Sequence, residues 1–331
     1  MLFLSFFGCV GELTDAFIDR ELAALSDTSA LQDGGLHVVL GGTGTLSTDE
    51  RAGSSVAVMA AGEVLVFDVG PGSTRVLGSS GVPLSEVSHV FVTHMHSDHF
   101  GDLGELTIAS EILGRDEALT VHGPEGVEEL VEGFEVAYAL DHAHRSAQHP
   151  GHLDSAHAEL GVERIDEGIV YSDKGLVVTA FAVDHHPVPE AWGYRVDYNG
   201  RSVVISGDTA PNKKLHTAAE GADVLIHEAM DKDFAERIAL RSEAGGDRRT
   251  ATLIRDALPN HSTASDAAFA AQNARVGTLV LTHISPPLVS PHLRWRFLRD
   301  ARRGFDGEVV LGKDGLRIDL DGELSLERTE A

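Results

Sequence analysis

The stretch from Thr93 to Asp102 constrains the fold more than any other part of the chain, because it places four candidate metal ligands within six residues. Residues 87–92 before it have strand composition, and residues 100–113 after it have the apolar spacing of a helix. A strand-to-helix turn lets side chains converge on one point. Imidazole and carboxylate groups suit zinc, so the sequence predicts a metal site here, with a solvated polar turn as the alternative. The four ligands are His94, His96, Asp98 and His99.

The overall charge of the chain argues against nucleic acid as a partner. The 331 residues carry 52 acidic and 26 basic side chains, which gives a net charge of −26. Such a surface repels phosphate backbones. Several arginines fall in the last third of the chain. A local basic groove is one interpretation of them, and we favour the other, that they are ordinary helical surface residues. They are Arg241, Arg248, Arg249, Arg255, Arg294, Arg296, Arg299, Arg302 and Arg303.

The N-terminus favours export over a cytoplasmic location by a small margin. Residues 1–10 are strongly apolar, and Gly8-Cys9 resembles the lipidation site of a bacterial lipoprotein signal. A helix packed on the domain is the alternative for this segment. Cys9 is the single cysteine, which excludes an internal disulfide and a cysteine-based zinc site. No segment approaches the ~18–20 apolar residues of a membrane span.

The remaining chain alternates short strands and helices in two halves, which predicts inner sheets covered by outer helices. One helix is predicted over Asp233 to Leu258. Residues 141–157 lack periodicity, so we expect a loop that borders the active site as a lid. A second metal depot is the alternative, because this segment contains His142, His144, His149, His152 and His157.

Further candidate ligands stand where later predicted strands end. Asp184-His185-His186 closes one strand, Asp208 follows another, and His283 closes the last. Taken singly, a histidine at a strand end is more often a hydrogen-bonded surface residue. Together with the turn after Thr93, these positions complete a seven-ligand set.

This pattern resembles the metallo-β-lactamase superfamily, and within it the RNase Z and arylsulfatase-like branch. The resemblance implies an αββα sandwich, with two mixed β-sheets flanked by helices, over residues 36–331, after an N-terminal segment, helix and linker in residues 1–35. It also implies two zinc ions per chain, with manganese or iron as alternatives. The first zinc would be held by His94, His96 and His185, with His186 as the alternative to His185. The second would be held by Asp98, His99 and His283, with Asp208 bridging the two ions.

Three other positions match motifs of this branch. Asp68 lies in an early Asp-x-Gly turn and would orient a ligating histidine. The resemblance places His261, in His-Ser-Thr, near the leaving group, and Glu228, in His-Glu-Ala, would fix the tautomer and charge of that histidine. A buried structural Glu–His pair is the alternative for these two residues.

Two departures from RNase Z guide the functional expectation. His283 continues into Ile-Ser-Pro-Pro instead of a Ser-x-Arg-Tyr-like run, and residues 134–170 contain no basic, glycine-rich arm. We therefore expect a dinuclear zinc hydrolase of small anionic sulfate or phosphate esters, of arylsulfatase or phosphodiesterase type. A hydroxide between the metals would be the nucleophile, positioned by Asp98 and Asp208.

Other readings of the same site stay open. They are an RNase Z-type endonuclease acting at the 3′ side of tRNA precursors, a lactonase or β-lactamase, and a zinc-binding lipoprotein without enzymatic activity. A homodimer is compatible with the sequence.

Overall fold

Strands and helices alternate through nearly the whole of the part of the chain that the structure describes. The computed structural model describes residues 28–46, 50–153, 159–320 and 324–328, together with residues 14, 15 and 18. Residues 1–10, on which the export prediction rests, lie outside these ranges, as does His157. The strands are β1 (His37–Gly42), β2 (Ser55–Ala60), β3 (Glu63–Phe67), β4 (Val87–Phe91), β5 (Leu119–Gly123), β6 (Leu160–Arg164), β7 (Gly168–Asp173), β8 (Leu176–Ala182), β9 (Trp192–Tyr198), β10 (Arg201–Ile205), β11 (Val224–Met230), β12 (Thr278–Ser285), β13 (Glu308–Leu311), β14 (Leu316–Asp319) and β15 (Ser325–Arg328).

Helices connect and cover these strands. They are α1 (Ser29–Gln32), α2 (Ser73–Ser79), α3 (Ser97–Phe100), α4 (Leu103–Ile112), α5 (Val127–Gln148), α6 (Lys213–Ala218), α7 (Lys232–Ala244), α8 (Arg248–Ala257), α9 (Ala264–Ala274) and α10 (Pro291–Arg302), with short 3₁₀ turns at Leu84–Glu86 and Leu258–Asn260. Within the described ranges, no helix is both long and apolar enough to cross a membrane.

The strands form two mixed sheets. The first has the order β15-β14-β1-β2-β3-β4-β5-β6, and the second has the order β13-β12-β11-β10-β9-β8-β7. Strands β3 to β6 are parallel, as are β10 to β13, whereas β1 to β3 and β7 to β10 pair antiparallel. Parallel strands need both faces covered, which explains the apolar runs at residues 224–226 of β11 and 279–281 of β12.

The central core lies between the two sheets. Phe67, Phe91 and Tyr194 are almost fully buried there, and the Tyr194 hydroxyl donates a 2.7 Å hydrogen bond to the carbonyl of Val92, which ties the sheets together. Apolar side chains of α2, α4 and α5 cover the outer face of the first sheet, and those of α6, α9 and α10 cover the second. This arrangement confirms the predicted αββα sandwich.

Two elements differ from the sequence-based expectation. The predicted helix over Asp233 to Leu258 is a hairpin of two helices, α7 and α8, because Gly245 and Gly246 interrupt it and Asp247 caps the second helix. Helix α5 extends to Gln148, so residues 141–148 are helical where the sequence predicts an irregular loop.

One contact anchors the C-terminal half of α5. His142 Nδ1 lies 3.1 Å from Oε2 of the buried Glu111 on α4. In the described part of the segment, His142, His144, His149 and His152 do not join any group of three metal ligands. A lid role for the rest of this segment stays a prediction.

Candidate active site

The predicted metal ligands meet at one edge of the sandwich, because each follows or ends a strand that points there. The turn after β4 supplies the four ligands of the Thr93 stretch, and β8, β10 and β12 lead into or contain the other three. The structure brings all seven predicted ligands together, in overlapping groups whose candidate donor atoms lie within 4.8 Å of one another. The seven are His94, His96, Asp98, His99, His185, Asp208 and His283.

One group consists of three histidines. Nε2 of His94 lies 2.8 Å from Nδ1 of His96, and Nε2 of His185 lies 3.4 Å from the same Nδ1 atom. Nδ1 of His185 faces the main-chain carbonyl of Asn260 at 3.1 Å, which fixes the orientation of the ring. Of the two neighbouring histidines, His185 is buried in this group, whereas His186 is exposed.

A second group adds two carboxylates. Nε2 of His283 lies 3.4 Å from Oδ2 of Asp98, and its Nδ1 lies 3.4 Å from Oδ1 of Asp208. Oδ2 of Asp208 lies 3.4 Å from Nε2 of His99, 3.9 Å from Nε2 of His94 and 4.0 Å from Nε2 of His185. Asp208 therefore faces both groups.

The chemistry of this donor set fits divalent metal ions. Three buried atoms of this cluster make no hydrogen bond. His99 Nε2 lies 3.4 Å from Oδ2 of Asp208, and the other two, Asp208 Oδ1 and His283 Nδ1, lie 3.4 Å from each other. A buried polar atom without a partner is costly, and a cation between these atoms removes that cost. Burial, reinforced by the neighbouring His99, lowers the pKa of His94 well below its usual value, which favours the neutral imidazole that a metal requires.

The surroundings of Asp98 keep its carboxylate ionised. Burial raises its pKa, but the hydrogen bond from His283 and the charge of His99 outweigh burial and bring the pKa to about 2. Ionised carboxylates are the form that ligates metals.

Asp68 contacts the side of His99 that faces away from the other ligands, as the family resemblance implies. Its Oδ2 lies 2.7 Å from Nδ1 of His99, and its two oxygens accept hydrogen bonds from the amide and hydroxyl of Thr93. The His99 ring is thus oriented with Nε2 towards the other ligands. Asp68 adopts a left-handed φ of 57°, a costly conformation that is concentrated at functional sites.

Two glycines allow the main chain to approach the ligands closely. A Cβ atom on Gly70 would lie 2.1 Å from the carbonyl oxygen of Asp98, and one on Gly207 would lie 2.6 Å from the carbonyl oxygen of Trp192. Gly207 also has a φ of 59°, directly before Asp208. Both positions therefore require glycine.

His261 and Glu228 form a pair beside the metal ligands. Nδ1 of His261 lies 3.1 Å from Oε1 of Glu228, which leaves Nε2 for the cleft. Burial lowers the pKa of His261, but the charge and hydrogen bond of Glu228 outweigh burial and raise the pKa to about 9. The ring is therefore positively charged at neutral pH when no metal is bound.

These residues line an open cleft of about 470 Å³. Asn260 and Asp256, at the end of α8 and the turn after it, form part of its wall. Sequence reasoning missed the contact of Asn260 with His185, which is made by the main chain and leaves no signal in side-chain type. Its position directly before the His-Ser-Thr motif was the available hint.

Known proteins resemble this chain over most of its length. Residues 65–284 match the family model described as a beta-lactamase superfamily domain. Ribonuclease Z of Mycobacterium avium (strain 104) is 36% identical over 291 residues, which span 86% of this chain and 99% of that protein. Two solved structures share the fold, each over 86% of this chain and 99% of the other. They are the metallo-β-lactamase fold protein YhfI from Bacillus subtilis (TM-score 0.62, 20% identity) and the short form of human tRNase Z (TM-score 0.59, 23% identity).

These relatives confirm a hydrolase but correct three other expectations. The leading prediction of an arylsulfatase-type ester hydrolase is wrong, because proteins matched over most of the chain are named as ribonucleases. The expectation that nucleic acid is an unlikely partner is wrong for the same reason. It relied on net charge, and a net charge summed over the whole chain does not describe the surface beside the cleft. The expectation of an exported lipoprotein is also wrong, since it rested on residues 1–10 alone and the relatives are named for RNA cleavage. The chain belongs to the metallo-β-lactamase superfamily and, within it, to the family of the ribonuclease Z proteins.

Proposed function

We propose that this protein is a metal-dependent endoribonuclease that removes the 3′ trailer from tRNA precursors. The observation that carries the proposal is the 36% identity to Ribonuclease Z of Mycobacterium avium over 86% of this chain and 99% of that protein. The superfamily match over residues 65–284 spans the strands and turns that supply every candidate ligand.

We assign two zinc ions to the ligand cluster. His94, His96 and His185 would hold one ion, and Asp98, His99 and His283 the other. Asp208 faces both groups and would bind both ions. When bound, such ions lower the pKa of a coordinated water and neutralise charge on phosphate oxygens.

The residues around the cluster would handle the leaving group. In phosphodiester hydrolysis the oxygen of a water adds to phosphorus, and the bond between phosphorus and the ribose 3′ oxygen breaks. The departing 3′ oxygen then needs a proton. His261 directs Nε2 to the cleft, and the Glu228 carboxylate favours its protonated form, so it can supply this proton and leave a 3′ hydroxyl on the tRNA and a 5′ phosphate on the trailer. Glu228 holds the opposite ring nitrogen and preserves this tautomer.

The cleft can hold one nucleotide of a longer substrate. Its volume of about 470 Å³ lies in the range of ordinary ligand pockets, so it accommodates the nucleotide at the cleavage site. The cleft opens to the surface between the metal ligands and the end of α8. The rest of an RNA chain would therefore bind outside it.

The test is cleavage of a precursor tRNA with a labelled 3′ trailer by the purified, metal-counted protein. We expect one cut between the mature 3′ end and the trailer, a 3′ hydroxyl on the tRNA, and loss of activity with chelator that added zinc restores. Bis(4-nitrophenyl) phosphate serves as a small diester that reports whether the metal site works at all.

A matched pair of variants completes the test. Asp208→Asn removes the shared ligand, whereas Asp197→Asn removes a surface carboxylate that pairs with Arg195 on β9. We expect the first to abolish trailer removal and the second to cleave like the wild type. A protein that hydrolyses the small diester and leaves precursor tRNA intact would refute the proposal.

A further inference from the structure

Helix α10 carries a positive charge that contrasts with the rest of the chain. Residues 294–303 contain five arginines and one acidic residue, in a protein with a net charge of −26. Phe297 and Ala301 on one face of this helix are buried against the second sheet. With 3.6 residues per turn, the opposite face presents one set of residues, which we name the α10 stripe: His292, Trp295, Arg299, Arg302 and Arg303.

The α10 stripe is exposed and combines aromatic with cationic groups. Trp295 is 57% exposed, and the guanidinium of Arg299 lies 5.1 Å from the centroid of its ring. The ring of His292 lies nearly parallel to that of Trp295, at 6.1 Å and 27°. An exposed tryptophan beside cationic side chains offers an aromatic face on which a base or a sugar can stack.

Two arginines of the stripe are available to a ligand. Within the described residues, Arg302 and Arg303 form no ion pair, whereas Arg164, Arg255 and Arg275 each pair with a glutamate. Both are exposed. Unpaired surface arginines bind phosphates readily, because the planar guanidinium matches phosphate oxygens.

The stripe begins beside the cleft. Ser285, at the end of β12, lines the cleft, and only five residues later Ser290 caps α10. Met230 lines both the cleft and a neighbouring depression of about 140 Å³ that contains Arg296. Arg296 pairs with Asp231, which caps α7, so α10 is held against the edge of the active site.

We propose that the α10 stripe binds the sugar-phosphate backbone of the RNA substrate outside the cleft. This inference rests on the proposed ribonuclease function. Arg302 and Arg303 would contact phosphates, and Trp295 would stack on an unpaired base or a sugar, the combination used by proteins that hold single strands. The stripe would take the place of the basic arm that residues 134–170 lack, and its local charge would orient an RNA that the remaining acidic surface repels.

Binding of a labelled precursor tRNA to the metal-loaded protein tests this surface. The dissociation constant is measured by fluorescence anisotropy across a series of potassium chloride concentrations. Three variants are compared: Arg302→Gln/Arg303→Gln, Trp295→Leu, and the control Lys174→Gln/Arg275→Gln. The control removes two exposed charges from the end of the second sheet opposite the cleft. Thermal unfolding of each variant shows that the fold is retained.

A stripe that binds RNA and a stripe that does not bind RNA give different results in this experiment. If the stripe binds RNA, Arg302→Gln/Arg303→Gln raises the dissociation constant on the order of tenfold and lowers the magnitude of the salt slope by about two. Trp295→Leu weakens binding with the slope retained, and the control binds like the wild type. If wild type and the arginine variant bind and cleave alike, the stripe proposal is wrong and the proposed function stands.

Two further outcomes distinguish a failure of the endonuclease proposal from a failure of the stripe proposal. If the arginine variant loses RNA binding but no form of the protein cleaves the precursor, the endonuclease proposal is wrong and the stripe is supported as an RNA-binding surface. If the wild type ignores RNA but binds vesicles of phosphatidylglycerol through the same arginines, the stripe proposal is wrong.

Discussion

Glu228 fixes the imidazole ring of His261 through one carboxylate oxygen, which lies 3.1 Å from Nδ1 of the histidine. The same oxygen accepts hydrogen bonds from the main-chain amides of Thr209 and Ser262. These two amides belong to the loop after Asp208 and to the His-Ser-Thr motif. Glu228 therefore connects the carboxylate ligand loop with the proposed proton donor and holds both in one geometry.

A first prediction concerns the proton that His261 supplies. His261→Gln should lower cleavage of precursor tRNA by about 10²–10⁴-fold, the usual contribution of general acid catalysis, with metal content unchanged. Hydrolysis of bis(4-nitrophenyl) phosphate should fall much less, since nitrophenolate leaves without a proton. Glu228→Gln should act in the same direction. Single-turnover rates on both substrates, with metal analysis of each variant, test this role.

The outcome that contradicts this role is also defined. If His261→Gln loses bound metal, the histidine is a ligand. The candidate donor atoms of His261, Asp208 and His185 lie close enough together for this alternative. If both substrates slow equally with metal retained, His261 does not act on the leaving group.

A second prediction separates the two neighbouring histidines. His185 is buried with its Nε2 towards His96, whereas His186 is exposed. His185→Gln should therefore reduce the metal content and the activity together, and His186→Gln should retain both. Metal analysis after dialysis against a weak chelator measures the difference. Equal metal loss in the two variants would remove the reason for preferring His185.

The convergence of the candidate ligands could be predicted because part of the information is local. One turn contains four of them, so their spacing alone indicates convergence. The later candidates, His185, Asp208 and His283, are weak signals singly and gained weight only together with that turn and the family resemblance. Contacts made by the main chain, such as that of Asn260 with His185, depend on how distant segments pack and could not be read from residue types.

Two expectations failed for identifiable physical reasons. The histidine-rich segment lacks apolar periodicity, yet α5 continues through residues 141–148 of it, where Nδ1 of His142 lies 3.1 Å from the buried Glu111 carboxylate on α4. The expectation that nucleic acid is an unlikely partner gave the net charge more weight than the arginines of the last third of the chain, five of which fall within residues 294–303. Charge separated in space can recruit a ligand that the total charge repels.

A third prediction concerns the close approach of the main chain at Gly207. Gly207→Ala would place a side chain on a left-handed backbone, with its Cβ atom 2.6 Å from the Trp192 carbonyl oxygen. Gly200 has a φ of 77° and no atom within 4 Å of the added Cβ, so Gly200→Ala is the matched control. We expect the control to lose about 1–2 kcal/mol of unfolding free energy.

Gly207→Ala should lose clearly more stability than this control. It should also bind metal more weakly, because relief of the contact displaces Asp208. Urea unfolding and zinc titration measure the two effects. If both variants lose the same stability and bind zinc alike, the Trp192 contact is unimportant.

A fourth prediction concerns stability in mild acid. His122 Nε2 lies 2.8 Å from Nδ1 of His89, and the Phe91 ring stacks on His122 at 4.4 Å. Burial, followed by the charge of His89, lowers the pKa of His122 to about 3, against about 6.5 in an unfolded chain. Between these values the unfolded chain binds a proton that the folded protein refuses, so stability increases with pH.

The contribution of neutral His122 to the free energy of unfolding is therefore complete above about pH 6.5. It declines as the pH falls towards 3, by at most about 1.4 kcal/mol per pH unit. His122→Phe removes this titration and keeps a ring to stack on Phe91. Unfolding free energies in urea at several values between pH 7.5 and 4.5 should decline more steeply for the wild type than for the variant, whatever their difference at pH 7.5. Parallel curves would mean that the pKa of His122 in the folded protein stays near its value in the unfolded chain, with the Glu163 carboxylate, 3.3 Å from its Nδ1, as the group that offsets burial.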